Sequence, residues 1–162
     1  MIEEKMKLYD SLKSIFLHID NHEKAFFAEY GLNVPRFYTL FHINNHPGIS
    51  YIELSDLLLC TKSNTTRIVQ GMQKDGLVSR QSRPGDGRSF SLSLTPQGEA
   101  LFKRVYPNYL QLVDRLMSRF NADEIKLYTH YSQHVESVLG PNEAGQFVEV
   151  RLSESCQAES AG

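Results

Sequence analysis

Two stretches of the chain concentrate side chains that can bind a polyanion. The first, residues 62–70, reads KSNTTRIVQ, and the second, residues 83–88, places Arg83 and Arg88 on either side of Pro-Gly-Asp-Gly. Hydroxyl, amide and guanidinium groups are the groups with which proteins contact phosphates and base edges. These residue types therefore favour recognition of nucleic acid.

The charge distribution supports the same interpretation. The chain has a formal net charge of −2, but residues 61–94 hold six basic and two acidic residues, a net charge of +4. The rest of the chain holds eleven basic and seventeen acidic residues, a net charge of −6. A basic segment inside an acidic protein indicates a local electrostatic surface that the overall charge conceals.

A helix-turn-helix followed by a hairpin is predicted to position these residues. Ser50 and Glu53 form a capping box that begins one short helix, and Thr61 is a suitable N-cap for a second helix over residues 61–75. The inward side of the second helix is expected to be Thr65, Ile68, Val69 and Met72. Two strands, residues 77–82 and 89–94, read as a hairpin because a dense turn signal separates them.

The remaining helices flank this segment. Apolar spacing predicts helices over residues 3–29, 35–45, 96–120 and 121–139. The third of these is apolar on two sides, so we expect a second chain to cover part of it. Residues 140–162 are polar and rich in Ser and Glu, and we expect them to form a flexible tail.

Several classes of protein are disfavoured. The chain has 162 residues, enough for one core, and no apolar stretch that could span a membrane or serve as a signal peptide, so a cytoplasmic protein is expected. Cys60 and Cys156 match no zinc or redox spacing. Phosphate loops, metalloprotease helices and nucleophile elbows are lacking, so neither an enzyme nor a bound cofactor is expected.

Residues 63–102 resemble the MarR family of bacterial and archaeal transcriptional regulators. The resemblance is carried by a helix running into Lys-Asp-Gly-Leu-Val, by the Asp-x-Arg of Asp86 and Arg88, and by the Leu-Thr-x-x-Gly of residues 94–98. The order of helices extends it over roughly residues 5–139. It departs from the family at Thr65, where an aliphatic residue is usual, and at Gly71, which interrupts the helix.

The resemblance implies a mainly α-helical fold with a small β-hairpin wing, a winged helix-turn-helix, in an interlocked helical homodimer. Residues 1–30 and 96–139 would form the dimerisation region, and residues 31–95 the DNA-binding lobe. The dimer would bind a palindromic operator in double-stranded DNA, with the second helix of the helix-turn-helix in the major groove and the wing near the minor groove. The predicted DNA-binding residues are Lys62, Ser63, Asn64, Thr66, Arg67, Gln70, Arg80, Arg83, Asp86 and Arg88. The family's Asp-x-Arg implies that Asp86 orients Arg88 through a charge-assisted pair.

The effector is left open by the sequence. An aromatic or phenolic ligand is one hypothesis, in a pocket lined by His18, His22, Phe37, Tyr38 and Phe41. Oxidation of Cys60, at the helix-turn-helix break, is another. Histidine pairs four residues apart, His18/His22, His42/His46 and His130/His134, suggest a metal, but the ligand pattern of the family's zinc-sensing branch does not map onto them, and no metal site is assigned.

The functional prediction is thus a sequence-specific DNA-binding transcriptional regulator, a repressor released by a small molecule, metal or oxidant. The alternative is a winged-helix protein-interaction module that binds DNA weakly or not at all. Salt-dependent binding to duplex DNA separates the two.

Overall fold

The structure, a computed structural model, describes residues 1–83 and 86–141. For residues 83 and 86–89 it describes the backbone alone. The elements in chain order are α1 (Ile2–Ala28), α2 (Val34–Asn45), α3 (Tyr51–Leu57), α4 (Lys62–Lys74), β1 (Val78–Arg83), β2 (Asp86–Leu94), α5 (Pro96–Met117) and α6 (Ala122–Leu139). The predicted class, mainly α-helical with a two-stranded hairpin, is confirmed.

Local capping chemistry sets the helix starts. The Ser50 hydroxyl accepts from the Glu53 amide at 3.2 Å, and the Glu53 carboxylate accepts from the Ser50 amide at 2.8 Å, so the predicted capping box is confirmed. Asn121 and Glu124 form a second such box at the start of α6. At the other end of α4, Gly76 takes a φ of +71°, a conformation that glycine adopts without the steric cost of a side chain.

The hairpin is longer toward its tip than predicted. β1 and β2 pair antiparallel from Val78 with Leu94 to Ser82 with Phe90, and after a register shift Arg83 pairs with Asp86. The expected turn of residues 84–87 is therefore too long, because residues 86 and 87 already belong to β2. Residues 84 and 85 themselves lie outside the described part of the chain.

The hairpin is also fixed to the body of the protein. Ile49 bridges Leu92, with the Leu92 amide donating to the Ile49 carbonyl at 2.9 Å. The Gly48 amide donates to the Leu92 carbonyl, also at 2.9 Å. These bonds make residues 48 and 49 a short second partner of β2, next to α3, so the base of the hairpin is held to the helix-turn-helix.

One apolar core joins α1, α2, α3, α4, the hairpin and α5. Its buried members are Phe27, Leu32, Phe37, Leu40, Ile43, Ile49, Leu54, Val69, Met72, Leu77, Val78, Leu92, Phe102 and Val105. Burial of such surface is the dominant favourable term in folding. The core therefore fixes α4 and the hairpin on a common base.

The start of α5 packs directly on the start of β1. A Cβ on Gly98 would lie 2.1 Å from the Leu77 carbonyl oxygen, far inside van der Waals contact. The Thr95 hydroxyl donates to the Gly76 carbonyl at 2.5 Å and accepts from the Gly98 amide at 3.0 Å. The Leu-Thr-x-x-Gly motif is thus a close-packing device that joins the hairpin to α5.

The chain divides into two compact units, residues 1–113 and 114–162, the second described only as far as residue 141. α5 ends at Met117 rather than near residue 120, because Ser118–Phe120 form a turn in which the Phe120 amide donates to the Met117 carbonyl. The predicted tail, residues 140–162, lies outside the described residues beyond residue 141.

Large apolar side chains remain exposed on the helices at both ends of the chain. On α1 they are Ile2, Met6, Leu8, Tyr9, Ile15, Phe16, Leu17 and Ile19, and on α6 they are Ile125, Leu127, Tyr128, Tyr131, Val138 and Leu139. Such surfaces mark interaction sites. None of the described helices is long and apolar enough to cross a membrane.

Candidate nucleic-acid interface

The helix-turn-helix presents the N-terminus of α4 through a tight left-handed turn. Leu59 has a φ of +50°, and the Cys60 amide donates to the Ser55 carbonyl at 3.0 Å. The Thr61 hydroxyl then accepts from the Asn64 amide at 3.2 Å, which caps α4 as predicted.

α4 has one face in the core and one face in solvent. Thr65, Val69 and Met72 are fully buried, so the predicted inward stripe is confirmed at these positions. The opposite side carries the predicted DNA-binding residues Lys62, Ser63, Arg67 and Gln70, all exposed, with Asn64 and Thr66 half-buried beside them. This face is dominated by hydrogen-bonding and cationic groups and is free to meet a ligand along its length.

Contacts within α4 orient part of this face. The Asn64 side-chain oxygen accepts from the Arg67 guanidinium at 3.0 Å, and its NH₂ group donates to the Cys60 sulfur at 3.6 Å. The Thr66 hydroxyl donates to the Lys62 carbonyl at 2.8 Å, so its proton is committed within the helix. Arg67 is therefore directed toward the N-terminal end of α4 before any ligand arrives.

The hairpin places a further arginine beside an aromatic ring. The Arg80 guanidinium lies 4.1 Å from the centroid of the Phe90 ring. Arg80 pairs with Leu92, two residue pairs further from the tip than the Ser82–Phe90 pair. A cation–π contact of this kind restrains the guanidinium while its N–H groups stay available. The backbones of Arg83, Asp86 and Arg88 lie in the strands, but their side chains are outside the described part, so the predicted Asp86–Arg88 pair stays a prediction.

An ion pair that the sequence did not suggest ties α4 to α2. The guanidinium of Arg36 binds the carboxylate of Asp75, which follows the last residue of α4. Asp75 is a negative charge at a helix C-terminus, where the helix dipole disfavours it, so the arginine offsets that cost. The pair spans 39 residues, and no short-range sequence pattern would have revealed it.

Among the residues predicted to line an effector pocket, the three on α2 are neighbours, whereas the two histidines lie on α1. Phe37 is a fully buried core residue stacked on Phe27 at 4.2 Å, and Tyr38 and Phe41 are half-buried neighbours. His18 and His22 are exposed on α1. The buried polar side chain on this part of α1 is Glu23, which is 7% exposed.

Glu23 joins three helices through two tyrosines. Its carboxylate accepts from the Tyr38 hydroxyl at 2.7 Å and from the Tyr109 hydroxyl at 3.0 Å, and the two hydroxyl oxygens are 2.9 Å apart. Burial is the main cause of the raised pKa of Tyr38, and these hydrogen bonds raise it further. Burial is also the main cause of the raised pKa of Tyr109. Both hydroxyls therefore remain protonated donors at neutral pH.

The redox and metal hypotheses gain no support from the geometry. Cys60 is half-buried and accepts the hydrogen bond from Asn64. Burial lowers the pKa of His42, and the charge of His46, the residue after the end of α2, lowers it further. Among the described residues, no group of three or more His, Cys, Asp or Glu side chains is arranged to hold a metal ion.

A helix with a capped N-terminus, preceded by a tight turn and followed by a hairpin fixed to the same core, defines a winged helix-turn-helix protein. The family model described as MarR family matches residues 30–89. The repressor YetL of Bacillus subtilis is 27% identical over 126 residues, which cover 76% of this chain and 75% of YetL.

Solved structures agree in fold. A variant of MarR from E. coli in complex with operator DNA superposes with a TM-score of 0.77 at 20% identity, over 83% of this chain and 97% of MarR. BpsR of Bordetella bronchiseptica, whose DNA binding is regulated by 6-hydroxynicotinic acid, gives 0.73 at 15% identity, over 80% of this chain and 98% of BpsR. The chain is thus similar in sequence to MarR-family regulators and shares their fold.

Proposed function

We propose that this protein is a transcriptional regulator that binds double-stranded operator DNA through α4 and the hairpin. The observation that carries the proposal is the division of α4: three side chains are fully buried in the core, and the opposite face holds Lys62, Ser63, Arg67 and Gln70 in solvent. The family relationship and the fold shared with an operator-bound protein support it.

In this proposal α4 lies in the major groove. The exposed N-terminal residues of the helix face base edges and phosphates, and Arg67, directed by Asn64, contacts a guanine or the backbone. The hairpin, with Arg80, Arg83 and Arg88, reaches along the backbone toward the minor groove, whose negative potential attracts guanidinium groups. Asp86 orients Arg88.

The protein acts as a homodimer on a palindromic site. The exposed apolar residues of α1 and those of α6 each form a surface that a second copy would cover. A dimer places two copies of α4 about one DNA turn apart, so that the symmetry of the operator mirrors that of the protein. The dimerisation residues are those predicted, 1–30 and 96–139.

The regulator represses transcription, and a small aromatic molecule releases it. The repressor name of one relative and the aromatic effector of BpsR support this assignment. The cluster of aromatic rings between α1, α2 and α5, which includes Phe37, Tyr38 and Phe41, is the place where such a ligand would act.

Fluorescence anisotropy on a labelled duplex from the region upstream of the protein's own coding sequence tests the proposal. Binding should be tight, weaken steeply between two salt concentrations, and exceed binding to a shuffled duplex. Replacement of Arg88 by alanine should weaken it. Equal, weak binding to both duplexes would instead favour the protein-interaction module, whose partner would then be sought among proteins.

A further inference from the structure

The carboxylate of Glu23 is the one buried acid of the described chain, and it lies where α1, α2 and α5 meet. It is 7% exposed, and both of its hydrogen-bond partners are hydroxyls from other helices, Tyr38 of α2 and Tyr109 of α5. A buried carboxylate without partners would be strongly destabilising, so its presence requires the two tyrosines to stay where they are.

The surrounding rings fix where the Tyr109 hydroxyl can be. The Tyr109 ring lies 4.8 Å from the Phe37 ring and 5.5 Å from the Phe27 ring, between α1 and α2. Apolar packing has little directionality, and neighbouring arrangements of three helices can bury similar areas. Hydrogen bonds to a buried carboxylate are directional and charge-assisted, so they select one of these arrangements.

α2 connects the arrangement of α1, α2 and α5 to the proposed DNA-binding surface. It packs against α1 on one side and against α3, α4 and β2 on the other. Two residues before Tyr38, Arg36 holds the end of α4 through Asp75. Any change in the angle between α2 and the pair α1 and α5 would therefore move α4 as well.

We propose that Glu23, Tyr38 and Tyr109 form a positioning site that sets the orientation of the DNA-binding lobe, residues 31–95, relative to α1 and α5. The consequence for DNA rests on the proposed function: this orientation determines whether both copies of α4 in a dimer can enter successive major grooves. The three residues contact no DNA themselves.

Three conservative variants remove parts of the site and keep the rings: Tyr38→Phe, Tyr109→Phe and Glu23→Gln. Tyr106→Phe is the matched control, because it removes a half-buried hydroxyl from the same helix, α5. Among the described residues, Tyr106 makes ring contacts and has a small electrostatic effect on Tyr109, but it donates no hydrogen bond to Glu23. Thermal unfolding of each variant first identifies any that fails to fold.

The direct readout is a distance that requires neither DNA nor a dimer. One spin label is attached at Cys60 and the other at Ala25→Cys, in a Cys156→Ser background. When the labelled protein is diluted with unlabelled protein, the distance between the labels reports the separation of the DNA-binding lobe from α1 within one chain. Tyr38→Phe and Glu23→Gln should shift or broaden the distance distribution, and Tyr106→Phe should leave it unchanged. Distributions identical to wild type in all variants would overturn the proposal.

The consequence for DNA is measured with two duplexes, one with both half-sites and one with a single half-site. Tyr38→Phe should lower affinity for the two-site duplex about tenfold, about 1.4 kcal/mol, and change single-site affinity less than about twofold. A parallel loss on both duplexes would mean that the site only stabilises the fold. If wild type binds neither duplex, the proposed function fails, while the distance measurement still decides the positioning role.

Discussion

Two fully buried threonines allow a matched test of how α4 is held in the core. Thr65 on α4 and Thr39 on α2 both have no exposed surface. The Thr39 hydroxyl donates to the Pro35 carbonyl at 2.8 Å, whereas the Thr65 hydroxyl oxygen has no hydrogen-bond partner among the described residues. The same substitution, threonine to valine, should therefore have different effects at the two positions.

The magnitudes follow from burial and hydrogen bonding. A buried polar group without a partner costs about 1–3 kcal/mol, and an added buried methyl contributes about 0.8 kcal/mol. Thr65→Val should accordingly raise the free energy of unfolding by about 1–2 kcal/mol. Thr39→Val loses a hydrogen bond of net value about 1 kcal/mol and gains a similar apolar term, so it should leave stability unchanged or slightly lower.

Urea unfolding followed by circular dichroism, at one fixed protein concentration because association adds to apparent stability, measures both variants. Binding of DNA by Thr65→Val should match wild type, since the side chain faces the core. Equal destabilisation by the two substitutions would refute the reasoning, because it would show that the Thr65 hydroxyl has a stabilising partner.

Three further predictions concern packing, association and pH. Gly98→Ala should destabilise the fold by about 3 kcal/mol or more, since its Cβ would meet the Leu77 carbonyl at 2.1 Å; a melting temperature within a few degrees of wild type would contradict this packing. Phe16→Glu, at a 63% exposed position on α1, should shift sedimentation from dimer to monomer with helix content retained, and an unchanged dimer would remove α1 from the interface. The pKa of His42 is lowered by burial and by the charge of His46, so the folded state binds fewer protons and the free energy of unfolding should fall as pH decreases through about 6.5. His42→Gln should flatten that slope in urea titrations at several pH values, and an identical slope would assign the pH dependence to other groups.

The sequence predicted those parts of the fold that local chemistry determines. The capping residues Ser50 and Thr61 begin their helices as expected, because the groups that satisfy the first amides lie within three residues. The polar and apolar sides of α4 follow from helical periodicity in the same way.

Contacts between distant residues were beyond the reach of the sequence. Glu23 carried a faint signal, since it lies four residues after Ile19 and four before Phe27 on the same side of α1. Its partner Tyr109 is 86 residues away, and the Arg36–Asp75 pair spans 39. A carboxylate with two hydroxyl donors can occupy a buried position in a core, so the burial of Glu23 could not be predicted from its residue type.

The central claim is that the exposed face of α4 binds DNA. It is tested most directly by two substitutions that each remove one positive charge, from different helices. Arg67→Ala removes an exposed arginine from α4, and Arg104→Ala removes an exposed arginine from α5. In anisotropy titrations of the upstream duplex at two salt concentrations, Arg67→Ala should lose about 1–3 kcal/mol of binding free energy, while Arg104→Ala should remain close to wild type. An equal loss of binding free energy in the two variants, or no loss in either, would contradict the claim that α4 contacts the DNA.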